Sequence, residues 1–264
     1  MIRPIIEMKK TQTKPLFGIL FCIAFVALSC NKEDEQAPKP ISNSINKILP
    51  LGASRVEGNR PDYESFRYEL WKDLEENGWT FDFIGTQSDE ADYPSFNSLD
   101  FDIDHEGIGG WTSAQILQAL PNNLQETGAP DFVLFSSPGG NDALLGLPFN
   151  EAIENINSII DVLQNANPNI TIIVELMAPG HSSMMTPELT TYFEQLQQGV
   201  LAICQEQTSS NSSVVAVDMY TGFSDAYLAD DVHYNVTGAD FIAQRYYTLL
   251  ATLLESTESM AGYL

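Results

Sequence analysis

Five short apolar runs recur after Asn46: Ile48 to Leu51, Phe81 to Ile84, Phe132 to Phe135, Ile170 to Leu176 and Val214 to Val217. Several are rich in Val and Ile, and unbroken apolarity over so few residues marks a strand buried on both faces. Between them the apolar positions change to a helical period. Phe66, Leu70 and Leu74 recur on one face, as do Ile153, Ile156, Ile160 and Leu163, then Leu189, Phe193, Leu196, Val200 and Ile203. Ile242, Tyr246, Leu249 and Leu253 predict a closing helix. Strands alternating with helices imply crossover connections. The predicted fold is therefore α/β: a three-layer αβα sandwich around a mostly parallel five-stranded sheet. Pro50 lacks an N–H for the ladder, so it is expected near the end of the first strand, where the chain leaves the sheet.

The residues ahead of this domain read differently. Arg3, Lys9, Lys10 and Lys14 precede an apolar run from Leu16 to Leu28, too short to span a bilayer comfortably as a helix. The pattern is that of an export signal, and its end, Ala27-Leu28-Ser29-Cys30, resembles a bacterial lipoprotein signal in which Cys30 takes the lipid. An ordinary signal or a single anchor helix is the alternative. Residues 1 to 30 are thus the expected signal peptide. Residues 31 to 45 begin with a polar, Pro-containing stretch and are expected to form a flexible tether. One folded domain is expected from 46 to 257, with a tail from 258 to 264. The location these features lead one to expect is a bacterial cell envelope, with a lipid anchor at the outer membrane or cell surface.

Charge narrows the partners. Twelve Lys and Arg against thirty-six Asp and Glu give a net charge of -24, so no phosphate-binding footprint for a nucleic acid exists. Contact with a membrane is expected through the N-terminal lipid only. Cys22 falls inside the signal and Cys30 at its end, which leaves Cys204 without a disulfide partner in the domain. Its apolar surroundings predict a buried small hydrophobe. Three His residues without metal-ligand spacing argue against a transition-metal site, and no phosphate-cradling Gly-rich turn suggests a nucleotide. No cofactor is expected, and the domain is expected to be a monomer.

In open parallel sheets the reactive groups gather beyond the carboxyl ends of the strands. Four segments meet that condition: Gly52-Ala53-Ser54-Arg55, the stretch from Asp104 to Trp111, Ser136 to Asp142, and Asp230-Asp231-Val232-His233. Together they hold the parts of an acyl-transfer site. Ser54 offers a hydroxyl beside a helix start, although a helix cap is its blander role. His233 is the candidate base, and Asp230, three residues earlier, its orienting carboxylate. The backbone N–H groups of Ser54 and Gly110 and the side-chain amide of Asn141 are candidate oxyanion donors.

These segments resemble, in order, the blocks of the SGNH (GDSL-like) hydrolase superfamily, and among its branches they are similar to the secreted acetylxylan-esterase-like members. The resemblance rests on Ile48 to Ser54, Phe66 to Trp71, Phe81 to Gly85, His105-Glu106-Gly107 with Gly110-Trp111, Gly140-Asn141-Asp142, and Asp230-x-x-His233. It implies Ser54 as nucleophile, His233 and Asp230 as its partners, and Ser54, Gly110 and Asn141 as the oxyanion hole. It also implies a small-acyl, acetyl-type esterase acting on a small-molecule or polysaccharide ester. Two positions depart from the pattern: Ala53 stands where an Asp is usual, and Gly140 where a Thr or Ser is usual. A lipase- or thioesterase-type specificity, or a polysaccharide-binding lipoprotein without catalysis, are the rival readings. His105 is expected to brace the second loop, and His181 to line the cleft or sit on an exposed loop.

Overall fold

A computed structural model describes residues 39–254. The expected signal peptide with Cys30, residues 31 to 38 of the tether and the tail from 258 lie outside the described residues.

The strands are β1 (Lys47–Gly52), β2 (Asp82–Phe83), β3 (Gln87–Ser88), β4 (Asp104–Gly107), β5 (Phe132–Phe135), β6 (Thr171–Leu176) and β7 (Ser213–Asp218). The helices are α1 (Ser54–Glu57), α2 (Arg67–Glu76), α3 (Ser113–Thr127), α4 (Gly140–Leu144), α5 (Phe149–Ala166), α6 (Pro187–Gln207) and α7 (Val236–Leu250). The sheet runs in the order β3-β4-β1-β5-β6-β7, with β2 also beside β1. Among the described residues, the pairings of these strands are parallel except β3–β4, which is antiparallel.

Side-chain alternation builds the three layers. Leu49, Leu51, Val133, Phe135, Ile172 and Val174 face α3, α5 and α6. Ile48, Leu134 and Ile173 face α2 and α7 on the other side, with Phe66, Leu70, Ile242 and Tyr246. Fully burying such a side chain contributes roughly 1.5–3 kcal/mol before conformational entropy is counted. Cys204 is buried among the first group, and burial pushes its thiol up to about 11.

Three features differ from the sequence expectation. The sheet has two strands beyond the five predicted, β3 and β4. β4 reads Asp-His-Glu-Gly and carries no apolar pattern. It is buried through polar partners instead: Glu106 accepts from Thr86 N–H and from Asn123 Nδ2. Helix α3 is not among the predicted helices, because Ile116, Leu120 and Leu124 lie four apart around an internal Pro121. Its start is fixed by buried Asp142, which accepts from Ser113 N–H and Oγ at 2.9 and 2.7 Å, where a carboxylate suits a helix N-terminus. Finally, Pro50 is not where the chain leaves the sheet, since β1 continues to Gly52. Lys47 and Ile48 pair with β2, and Leu51 and Gly52 with β4. Pro50 sits between those two registers, so its missing N–H falls where the neighbouring strand changes.

Candidate active site

Strand β1 ends in a tight turn. A Cβ on Gly52 would lie 2.8 Å from Val56 Cγ2 and 2.9 Å from the Ser136 carbonyl, so only glycine lets α1 fold back against β5. Ser54 then opens α1, but its hydroxyl does not cap the helix; Ala53 occupies the cap position. The Ser54 Oγ instead lies 2.9 Å from His233 Nε2. His233 Nδ1 in turn lies 2.7 Å from Asp230 Oδ2.

The loop before α7 shapes itself around this chain. Asp230 Oδ1 accepts from the N–H groups of Val232 and His233 at 2.8 and 2.7 Å. Burial alone would raise the Asp230 pKa, but those N–H groups and the imidazole outweigh it and hold the carboxyl below its ordinary value. An ionised carboxylate has only acceptors, so it selects the Nδ1–H tautomer and leaves Nε2 to accept from Ser54. The arrangement can therefore carry a proton from the hydroxyl to the imidazole.

The expected oxyanion donors are placed in two ways. Asn141 lines the cavity beside Ser54 and spends one side-chain N–H on the Trp111 carbonyl at 2.8 Å; its amide carries a second donor. Gly110 is not a wall of that cavity. It occupies the loop after β4 with φ +77°, a conformation that favours glycine, next to Gly109, where an added Cβ would come within 3.9 Å of Ser54 Cβ. Among the described residues, neither the Ser54 nor the Gly110 backbone N–H donates to another group. The cavity measures about 40 Å³ and is walled by Met177, Met184, Phe193 and Leu144. That is room for about three waters, or one short acyl group.

Sequence reasoning passed over a polar layer beneath these groups. Arg55 donates to the carbonyls of Val232, Ala178 and Pro179 and to Ser137 Oγ. Ser137, at a strained φ of +48°, donates its N–H to Glu175 Oε2 at 2.7 Å. Buried Glu175 also accepts from Tyr246 at 2.8 Å, and burial raises its pKa. One signal was available: Glu175 interrupts an otherwise apolar strand at its carboxyl end. Glu57 was missed as well. Its Oε2 accepts from Gly109 N–H at 2.7 Å and so braces the loop carrying Gly110. That bond lends the second loop support from α1 despite Ala53.

His105 is buried and accepts from Gly107 N–H at 3.0 Å through Nδ1. Burial, with Arg67 and Lys39 nearby, pushes its pKa down to about 2, so it braces the loop as a neutral ring. His181 lies on an exposed loop against Ser183, and its N–H donates to the Asp231 carbonyl. Lys39, in the predicted tether, pairs with Asp104 at 2.6 Å.

Residues 86–241 match the family described as GDSL-like Lipase/Acylhydrolase. The chain belongs to this family. It is a carboxylic ester hydrolase with the SGNH type of α/β fold. No curated protein sequence matches it. Among solved structures it is similar to a carbohydrate esterase family 3 protein from Talaromyces cellulolyticus, at 27% identity and a TM-score of 0.68, covering 79% of this chain and 98% of that one. A family 3 carbohydrate esterase from Clostridium thermocellum shows 29% identity and a TM-score of 0.64, with 80% and 100% covered. An acetyl esterase mutant with acetate ion shows 27% identity and a TM-score of 0.69, with 79% and 98% covered.

Proposed function

We infer that this esterase works through Ser54 and removes small acyl groups, acetyl foremost, from a carbohydrate. The observation that carries the reading is the continuous Ser54–His233–Asp230 contact, 2.9 and 2.7 Å, at the mouth of a cavity sized for a short acyl group. Ser54 Oγ attacks the ester carbonyl carbon while its proton passes to His233 Nε2. The oxyanion is met by the N–H groups of Ser54 and Gly110 and by the Asn141 amide. The tetrahedral intermediate expels the sugar oxygen, which takes the proton from His233 and leaves acyl-Ser54. Water then gives its proton to His233 and attacks the acyl carbon, and collapse releases the acid and restores the Ser54 hydroxyl.

The three carbohydrate esterase and acetyl esterase structures support the acetyl and sugar parts of this reading. A longer-chain specificity has one observation in its favour: Leu144, Leu145 and Leu147 are exposed, Leu145 at 64%, and Leu144 also lines the cavity. A series of p-nitrophenyl esters, with acetate release from acetylated xylan, separates the two. Highest kcat/KM on acetate with a steep fall by octanoate, and acetate freed from the polymer, is the expected result. A maximum at octanoate assigns the lipase-type reading.

For its place in the cell, we infer a lipid anchor at Cys30, supported by the apolar run and the residues ahead of that Cys. Radiolabelled palmitate should enter the protein in cells and be lost in Cys30→Ala; labelling that persists in the variant would refute the anchor.

A further inference from the structure

The imidazole of His233 has a neighbour that hydrolysis does not call for. Tyr63 lies face to face with it, ring centroids 3.9 Å apart and planes inclined by 15°. The position is built in by the backbone. Tyr63 pairs with Asn59 through both its N–H and its carbonyl, and Glu64 N–H donates at 2.8 Å to the carbonyl of Tyr234, the residue after His233. Two short pairings thus hold the 59–64 segment against the histidine loop, with the Tyr63 ring over the imidazole.

Stacked on a neutral imidazole, the Tyr63 ring makes a modest packing contact. Over a cation the same geometry is more attractive, because the ring face carries the negative part of the quadrupole. His233 would change between these two states in each half-reaction, neutral before it takes the Ser54 proton and cationic afterwards. We propose that Tyr63 is a positioning residue for His233: its ring holds the imidazole plane so that Nε2 faces Ser54, and it stabilises the imidazolium present while the tetrahedral intermediate exists. This rests on the hydrolytic reading for its catalytic half only; the effect on the imidazole itself follows from the stacking.

The charged groups around the imidazole are Asp230 at Nδ1, exposed Asp231 beside it, and Arg55, whose Nε donates to the Val232 carbonyl. Glu57 and Asp62 act from the Tyr63 side. Burial, then Glu57, Asp230 and Asp62, raise the phenol pKa, so the ring stays uncharged and keeps its quadrupole. Replacing Tyr63 alters none of these charges.

The test compares the full chain with Tyr63→Leu and Tyr63→Phe, with Tyr63→Gln as a second ring-removing variant if the Leu protein folds poorly. Removing a ring stacked on a cation is expected to lower kcat about two- to thirtyfold on p-nitrophenyl acetate, with KM little changed. The acidic limb of kcat/KM should move to lower pH, since the protonated imidazole loses a stabilising contact. Tyr63→Phe should keep the wild-type kcat and limb. In parallel, NMR titration of the His233 ring, assigned with His233→Asn among only three His, should show the same downward move in the ring-removing variants. This readout stands even if the chain cleaves no ester, so the two readings fail separately. An unchanged His233 titration in a folded ring-removing variant overturns the proposal, and so does an equal loss of kcat in Tyr63→Phe.

Discussion

Arg55 Nε donates to the carbonyl of Val232 at 2.8 Å, so the residue after Ser54 is bonded to the residue before His233. These residues are 177 positions apart in the chain, and the same guanidinium also reaches the carbonyls of Ala178 and Pro179. The planar guanidinium reaches four acceptors at once, which a Lys ammonium at the same place cannot do. Arg55→Lys should lower kcat/KM by roughly one to two orders of magnitude, because displacements of about 1 Å between reacting groups cost on the order of a hundredfold. Steady-state kinetics beside a thermal melt checks this, and an unaltered kcat/KM counts against it.

Glu57 bears on the same geometry from the second loop. Glu57→Ala removes the acceptor of Gly109 N–H and frees the segment that presents Gly110. A fall in kcat of about tenfold is expected, largely restored in Glu57→Gln, whose amide oxygen still accepts. If Ala and Gln behave alike, the bond is not what positions the loop.

The pH dependence of hydrolysis has one expected acidic limb. A protonated imidazole cannot take the Ser54 proton, so kcat/KM is expected to fall as pH is lowered from 8 to 5. Asp230 is held below its ordinary value and stays ionised throughout that window. A profile of kcat/KM that is flat from pH 5 to 8 would remove His233 from the role of base.

Stability has its own pH dependence. Burial raises Asp102 to about 7, against the opposing hydrogen bonds from Phe83 and Asp104 and with Asp82 and Asp104 adding repulsion. The folded state then holds a proton that the unfolded chain has already released, so stability falls as pH rises from about 4 to 7. Tm should drop between pH 5 and 8, and the drop should be smaller in Asp102→Asn. An identical slope in the variant would show that Asp102 ionises as freely in the fold as outside it.

The legible part of the fold was the part made of apolar repetition. Ile172 to Val174 can only be a strand buried on both sides, and Ile156, Ile160 and Leu163 only a helix face. β4 escaped because Asp-His-Glu-Gly is buried by particular partners, Thr86 and Asn123, which no local period encodes. Pro50 misled because a single rule about ladders does not tell which neighbour a strand has at each residue. At the candidate site, the contact of Ser54, His233 and Asp230 was expected from the order of the blocks their segments resemble and from the three-residue spacing of Asp230 and His233. Arg55, Ser137 and Tyr63 were not, because their roles exist only once distant loops meet.

The most direct measurement is peptide mapping by mass spectrometry after treatment with a fluorophosphonate. A single adduct is predicted on the peptide that contains Ser54, absent in Ser54→Ala and strongly reduced in His233→Asn. A folded protein that takes no label, or one labelled elsewhere and indifferently to both substitutions, would contradict the account.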